Sequence, residues 1–262
     1  MDDYYLIVAY ILAGLLGVCV GSFLNVVIYR LPENMSLSKP NSHCPKCNYE
    51  LKFYDNIPLL SYIFLGGKCR NCKEKISPRY FIVELLNCLL WILSVAVFWK
   101  TSIPYTIIAC IVSSLFICVF AIDLDHMIIF DRFNILIGLL GVASIFFDNV
   151  YPWYDHLIGF GVAGGAFLLI YLGAILILKM EGMGFGDVKL AFAVGLLLGW
   201  QKFLFAILVG SVVGSIVLTL LRAKNKEEGK EYPFAPFIVL GCFVAMFFGD
   251  FIINWYLTLI LG

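Results

Sequence analysis

Apolar residues form long runs along this chain, separated by short polar turns. Eight runs reach or approach the length of a membrane span: 5–29, 80–99, 103–122, 133–148, 156–178, 188–200, 203–221 and 234–261. A helix of about 20 apolar residues crosses the hydrocarbon core of a bilayer. The pattern therefore predicts an all-α polytopic membrane protein with about eight transmembrane helices. Only the short segment 199–202 (GWQK) separates the runs 188–200 and 203–221, so these two runs form either two helices or one broken helix.

Composition supports the same fold class. Of 262 residues, 62% are hydrophobic and only 14% are charged, and the mean hydropathy is +0.95. Soluble domains carry about 25% charged residues, so this composition indicates an integral membrane protein. The first run follows an acidic start and is long enough to span, which distinguishes it from a cleavable signal peptide.

The basic residues predict how the chain is oriented. Nine of the eighteen Lys and Arg lie between Arg30 and Arg79, and with eight alternating helices seven more fall in turns on the same side. Cytoplasmic loops carry such an excess, so the polar loop 31–79 is predicted to be cytoplasmic. The distribution reflects topology and gives no indication of a nucleic-acid partner. Asp123 and Asp187 then both lie at the cytoplasmic side.

The polar loop carries two CxxC pairs, CPKC and CRNC, separated by twenty-one residues. Four thiolates on two such turns can surround one Zn²⁺. A loop of this size has only a small hydrophobic core, so a bound metal is a reasonable source of additional stability. We therefore predict that Cys44, Cys47, Cys69 and Cys72 bind structural zinc. Two disulfides and four free thiols are the alternatives, although a reducing cytoplasm argues against disulfides. The other five cysteines lie in apolar runs, as small hydrophobic residues do.

Two aspartates stand at the margins of apolar runs, where an acidic side chain costs a few kcal/mol on insertion scales. Asp123 closes the run 103–122 and is followed by Asp125 and Asp131; Asp187 ends the sequence GMGFGD. Each site taken alone has an alternative explanation without a catalytic role. Asp187 could be the N-cap of the following helix, and the turn with Asp123, Asp125 and Asp131 could be an ordinary turn whose acids pair with Arg132. Taken together, two close carboxylates share a proton and act as base and acid.

Such a pair can activate water against a peptide carbonyl without a metal. Asp123 is the favoured member of its group because it lies nearest the apolar run, whereas Asp125 and Asp131 are expected to be solvated. Gly184 and Gly186 have no side chains to obstruct a substrate backbone that approaches Asp187. Together with Lys189, they are the predicted substrate-binding or supporting residues.

Several motifs, in order along the chain, resemble the bacterial type IV prepilin peptidases. They are residues 21–32 (GSFLNVVIYRLP), the two CxxC pairs, residues 55–62 (DNIPLLSY) and residues 79–86 (RYFIVELL). Residues 184–187 (GFGD) resemble the GxGD motif of intramembrane aspartic proteases. One position departs from the family pattern: Phe130 stands before Asp131, where the family usually has Pro, so the shape of this turn is left open.

The resemblance implies a bifunctional enzyme of the bacterial inner membrane. Such an enzyme cleaves the basic leader of type IV pilin-like precursors at the cytoplasmic face, and then methylates the new N-terminal residue, usually Phe, with S-adenosylmethionine. The resemblance implies that Asp123 and Asp187 cleave the leader and that the four loop cysteines bind zinc. It also implies that Gly67 and Lys68 take part in methyl transfer. The implied division is a first transmembrane helix at 1–30, a zinc and methyltransferase part at 31–79, and a transmembrane protease at 80–262.

Two other functions compete with the enzyme. In a cation or proton transporter the acids would hold an ion, but the apolar runs outside the two sites contain few ionisable residues. A zinc-containing docking protein without catalysis would leave the Gly-Asp turn unexplained.

Overall fold

The computed structural model describes residues 2–179, 183–225 and 232–261, and most of these residues outside the loop 31–77 lie in helices. The helices are α1 (Asp2–Arg30), α2 (Leu60–Phe64), α3 (Pro78–Phe98), α4 (Ile103–His126), α5 (Asp131–Phe147), α6 (Trp153–Gly173), α7 (Phe185–Asn225) and α8 (Ala235–Leu261). Six of them are long and apolar enough to cross a membrane; α5, with 17 residues, and the short α2 are the others. Only two isolated β-bridges occur in these ranges. The all-α polytopic prediction is confirmed.

Helix ends follow local signals in the sequence. Ser77 and Ser102 cap α3 and α4 by accepting hydrogen bonds from the backbone N–H groups of Arg79 and Tyr105, and a proline follows each cap within the first turn. Serine caps and first-turn prolines are typical of helix starts. The charged segment 222–232 (RAKNKEEGKEY) begins within α7, and its residues 226–231 lie outside the described ranges.

The chain forms two compact units. The first contains the described residues up to Trp99 together with Ala109–Cys118, and the second contains Lys100–Ile108 and the described residues from Val119 onward. In the first unit α1 packs along α3. The buried Asn87 side chain donates to the Gly17 carbonyl (2.7 Å) and accepts from Ser114 (2.8 Å), so hydrogen bonds join this helix pair to the middle of α4.

In the second unit α7 packs against α5, α6 and α8. It is 41 residues long, about 60 Å at the usual rise, which is twice the thickness of a bilayer core. Gly199 divides it, with φ 76° and ψ 169°. The structure thus answers the open question of 188–200 and 203–221: they are two helical segments joined at Gly199.

Candidate functional site

Asp123 lies in the last turn of α4. The helix continues past the predicted boundary to His126 and ends at Met127, which adopts the left-handed conformation and donates its N–H to the Asp123 carbonyl (2.9 Å). The Asp123 side chain is buried, with 5% of the residue exposed. Its carboxylate accepts a hydrogen bond from the backbone N–H of Ala235, where α8 begins. The end of the apolar helix α4 therefore places the Asp123 carboxylate in the interior of the second unit.

Asp187 lies in the first turn of α7 and is 8% exposed. The N-cap interpretation is wrong, because it requires the helix to begin after Asp187, whereas the helix begins at Phe185, before Asp187. The Asp187 N–H donates to the Gly184 carbonyl (3.1 Å), and its carboxylate lies over Gly184, 3.4 Å from where a Cβ would stand. A first-turn carboxylate is favoured by the positive end of the helix dipole.

The fold brings these two carboxylates together. Asp123 and Asp187 are close enough for their charges to interact, and within the described ranges neither forms an ion pair. Asp125 and Asp131 are both exposed, as their greater distance from the apolar run suggests. Asp131 pairs with Lys189 at 2.7 and 2.9 Å, rather than with Arg132 as the ordinary-turn alternative suggested. The result is a buried acid pair with an exposed ion pair nearby in sequence.

The glycines beside Asp187 have different surroundings. A Cβ on Gly186 would come within 3.1 Å of the Ile129 side chain, whereas Gly184 is exposed and meets only atoms of its own turn. Gly186 therefore lets the segment after α4 approach the start of α7. Gly184 is the one that leaves space beside Asp187.

Asn134 is a neighbour of this site that sequence reasoning missed. It is buried in α5 and its Nδ2 donates to the Gly186 carbonyl at 3.5 Å, while its Oδ1 has no hydrogen-bond partner among the described residues. A single amide inside an apolar helix was the available signal, since buried polar groups normally need partners.

The four loop cysteines lie on two turns of the same design. Cys44 donates its N–H to the Tyr49 carbonyl (2.9 Å) and Cys69 donates to the Glu74 carbonyl (2.8 Å). The residue after each second cysteine, Asn48 or Lys73, is left-handed, with φ of 53° or 60°. The backbone N–H of Tyr49 is the main cause that lowers the pKa of Cys47, to about 6, and Asn71 adds to it. Both turns thus present sulfur to a shared centre.

The sulfur positions fit a tetrahedral ion. All four Sγ atoms lie within 4.8 Å of one another, with Cys44 and Cys72 at 3.8 Å and Cys47 and Cys69 at 3.9 Å. A tetrahedron with Zn–S bonds of about 2.3 Å has sulfurs about 3.8 Å apart, whereas a disulfide needs about 2.05 Å. The cysteines can therefore hold a metal, and the disulfide alternative does not fit.

Asp55 connects the two cysteine turns. It is buried and accepts hydrogen bonds from Arg70 (2.6 Å) in the second CxxC pair and from the Tyr49 hydroxyl (3.3 Å) after the first. Although burial opposes it, the bond from Arg70 holds the pKa of the Asp55 carboxyl below its ordinary value. One buried carboxylate thus connects the two turns by hydrogen bonds to both of them.

Gly67 and Lys68 lead directly into Cys69. Gly67 has φ 66°, and a Cβ there would come within 2.9 Å of the Tyr62 hydroxyl; the preceding Gly66 has φ 60° but open space around it. Lys68 is exposed and bridges to Lys75 across the turn. A side chain at position 67 is therefore disfavoured for two reasons: the positive φ of the backbone and the contact with Tyr62.

Comparison with known proteins finds matches over most of the chain. The profile of the type IV leader peptidase family matches residues 110–219, and that of the bacterial peptidase A24 N-terminal domain matches residues 15–101. A prepilin leader peptidase/N-methyltransferase from Aeromonas salmonicida is 35% identical, over 95% of this chain and 94% of the relative. The chain belongs to the type IV leader peptidase family.

Other relatives agree with this leader peptidase assignment. Proteins of the same name from Pseudomonas aeruginosa and Legionella pneumophila are 35% and 33% identical, over 93% and 95% of this chain and 91% and 94% of their own lengths. No solved structure is significantly similar. The predicted family and the prediction of an enzyme are confirmed, against the transporter and the docking protein, and the chain is a multi-pass inner-membrane protein. The division at 31–79 and 80–262 remains a prediction.

Proposed function

We propose that this leader peptidase cleaves the basic leader of type IV pilin-like precursors with Asp123 and Asp187, and then methylates the new N-terminus. The observation that carries the proposal is the buried pair of carboxylates without an ion-pair partner among the described residues. A buried charge that lacks a compensating partner is costly, so its presence calls for a functional explanation. The names of the relatives supply the substrate class.

The chemistry needs only the two carboxylates and water. One carboxylate takes a proton from water as the water oxygen attacks the scissile carbonyl carbon. The other carboxyl group gives its proton to the amide nitrogen as the C–N bond breaks, which leaves a carboxyl group on the leader and a free amine on the pilin. Exposed Gly184 provides the approach for the substrate backbone, and Lys189, held by Asp131, supports the same helix start.

We place this reaction at the cytoplasmic face. The excess of Lys and Arg in the turns on that side supports the orientation. A pilin precursor has a charged leader joined to an apolar helix, so its cleavage point lies where the membrane meets the cytoplasm. An acid pair near the ends of transmembrane helices can reach that point without unfolding a soluble domain.

Conservative amide substitutions test the acid pair. Asp123→Asn and Asp187→Asn should each abolish leader cleavage of a purified precursor in detergent or lipid, measured by gel shift and mass spectrometry. Asp125→Asn is the matched control, because this exposed acid lies two residues from Asp123. Full cleavage by either variant of the pair would exclude the mechanism.

We propose zinc as the ion of the four cysteines. The sulfur spacing supports it, and its role is structural because four thiolates fill a tetrahedral site. Purified protein should contain one zinc per chain by elemental mass spectrometry, and the double variant Cys44→Ser/Cys47→Ser should contain none. Cys19→Ser, an exposed cysteine on α1, should keep the metal. Full zinc in the double variant would contradict the assignment.

The methyltransferase proposal rests on the names of the relatives and on Gly67 and Lys68. Bound S-adenosylmethionine would supply the methyl group for the amine released by cleavage. Residues 31–79 contain no glycine-rich nucleotide loop, so we derive no contact to this cofactor.

Two glycine variants test this part of the chain. Gly67→Ala should reduce transfer of labelled methyl to processed pilin much more than Gly66→Ala, because both positions have positive φ but only Gly67 lacks space. Leader cleavage should persist in both variants. Equal methylation by the two would remove Gly67 from the proposal.

A further inference from the structure

The short helix α2 in the polar loop exposes an apolar face. Leu60, Ile63 and Phe64 are 52%, 60% and 83% exposed. Their spacing of three and four residues places them on one side of the helix. An apolar face of this kind in water is unusual and indicates a binding surface.

The opposite side of α2 packs against α3 and is hydrogen-bonded to it. The Tyr62 ring packs against Phe81, with ring centroids 5.4 Å apart. The backbone N–H of Leu59, just before α2, donates to Glu84 Oε2 at 2.8 Å. Glu84 also accepts hydrogen bonds from Ser22 and Asn25 of α1. The apolar face is thus held in one orientation by the membrane-spanning helix pair.

These contacts fix how deep α2 lies along α3. Glu84 is six residues after Pro78, where α3 begins, which is about 9 Å along a helix axis. The contacts to Phe81 and Glu84 therefore place α2 beside the first two turns of a membrane-spanning helix, rather than beyond its end. On the same turns of α3, Tyr80 and Ile82 are also exposed apolar residues, as expected of a surface in contact with lipid.

We propose that α2 is an interfacial segment whose Leu60, Ile63 and Phe64 enter the boundary between lipid headgroups and acyl chains. The exposed cations Lys52 and Lys68 flank the segment in sequence, and cations near an interface favour anionic headgroups. The loop with the cysteine turns is then attached to the membrane by its own side chains, in addition to its connections to α1 and α3.

Fluorine NMR of the full-length protein in nanodiscs of phosphatidylethanolamine and phosphatidylglycerol tests the proposal. A single 4-trifluoromethylphenylalanine replaces Phe64, and in a control sample it replaces Lys46, an exposed residue of the first cysteine turn. A lipid with a doxyl group on its acyl chain should broaden the label at 64 several-fold more than the label at 46. A water-soluble gadolinium chelate should show the reverse order.

Two results would overturn the proposal. The first is equal broadening of both labels by the gadolinium chelate, which would place Phe64 in water. The second is protection of Phe64 that is lost on dilution to one chain per nanodisc, which would identify a second copy as the occupant.

The role of Glu84 is tested with the same label. Glu84→Gln keeps an oxygen that accepts from Leu59, so the label at 64 should stay in lipid. Glu84→Leu removes the acceptor and should increase broadening by gadolinium several-fold. An unchanged label in Glu84→Leu would contradict anchoring by this residue.

Discussion

The second unit contains two groups of acids with low or intermediate exposure, and they differ in what surrounds them. Asp123 and Asp187, at the end of α4 and the start of α7, are close enough for their charges to interact and have no compensating cation among the described residues. The other group lies around the break in α7 and includes Asp148, Asp155 and Asp250, together with Lys202 and His156. We call the first group the acid pair and the second the paired cluster.

Cations and hydrogen bonds surround Asp148 and Asp250 in the paired cluster. Lys202 is buried and its Nζ lies 2.9 Å from Asp250 Oδ2. The Tyr151 hydroxyl donates to Asp250 Oδ1 (2.7 Å), and the Lys202 ammonium lies 4.7 Å from the centre of the Tyr151 ring. These contacts join α7 and α8 to the turn before α6.

The paired cluster also explains the break in α7. A continuous helix would direct the Trp200 N–H to the Leu196 carbonyl, but the left-handed Gly199 interrupts that ladder. The fully buried His156 donates from Nδ1 to the Leu196 carbonyl instead (3.0 Å), and its Nε2 lies 3.6 Å from Asp148 Oδ2. The Asp155 carboxylate packs against Gly199, where a Cβ would collide with it.

The comparison shows that burial of an acid does not by itself indicate catalysis. Acids with cations beside them hold elements of the fold together, whereas two acids that lie close together without a cation are available for proton transfer. The two groups should therefore respond in opposite ways to amide substitution: one should lose activity and the other stability.

The largest effect is expected at the acid pair. Asp187→Asn should lower the rate of leader cleavage by about a thousandfold or more, in the range that acid–base groups contribute. Its thermal unfolding temperature in detergent should be unchanged or higher, because the substitution replaces a buried acid that has no ion-pair partner among the described residues with a neutral amide. A variant that is inactive because it is less stable would contradict this assignment.

A loss of stability without a loss of chemistry is expected at Asp250. Asp250→Asn leaves the buried Lys202 ammonium without its carboxylate, which should lower the free energy of unfolding by about 2–3 kcal/mol. The double variant Lys202→Met/Asp250→Asn should regain part of this loss, and denaturant unfolding measures both. Cleavage by the folded protein should stay within a few-fold of the parent.

His156 tests the hydrogen bond at the break. His156→Ala leaves the Leu196 carbonyl without its donor and should cost about 1–3 kcal/mol of unfolding free energy. His126→Ala is the matched control, since this histidine is exposed at the end of α4 and should have little effect on stability. Equal stability of the two variants would mean that water replaces the His156 donor.

Much of the fold and of the candidate site could be predicted from the sequence because it depends on local signals. The apolar runs predicted the long helices to within a few residues, since length and hydrophobicity decide a membrane span. The CxxC spacing predicted the cysteine cluster, because each turn is a local structure. The cost of an isolated acid near an apolar run singled out Asp123 and Asp187.

The remaining features depend on contacts that are distant in sequence. The division of α7 at Gly199 is fixed by Asp155 and His156 on another helix, and α2 is too short for a periodic pattern. The proximity of Asn134 to Gly186 depends on how α5 packs against α7. Such features require the positions of other helices, which hydrophobic patterns do not give.

The smallest effect is expected at the Lys189–Asp131 ion pair. A comparison of this exposed pair with Lys202–Asp250 shows how much of the effect on stability depends on burial rather than on the presence of an ion pair. The exposed pair has the same chemistry as Lys202–Asp250 and a similar distance (2.7 against 2.9 Å), but its side chains are 40% and 61% exposed. Exposed pairs contribute about 0–1 kcal/mol, so Lys189→Met should change the unfolding free energy by less than about 1 kcal/mol. Cleavage should fall less than tenfold, because Lys189 supports the start of α7 and takes no part in proton transfer. If Lys189→Met destabilised the protein as much as Asp250→Asn, burial would not be what distinguishes the two ion pairs, and the contrast between the two groups of acids would need another cause.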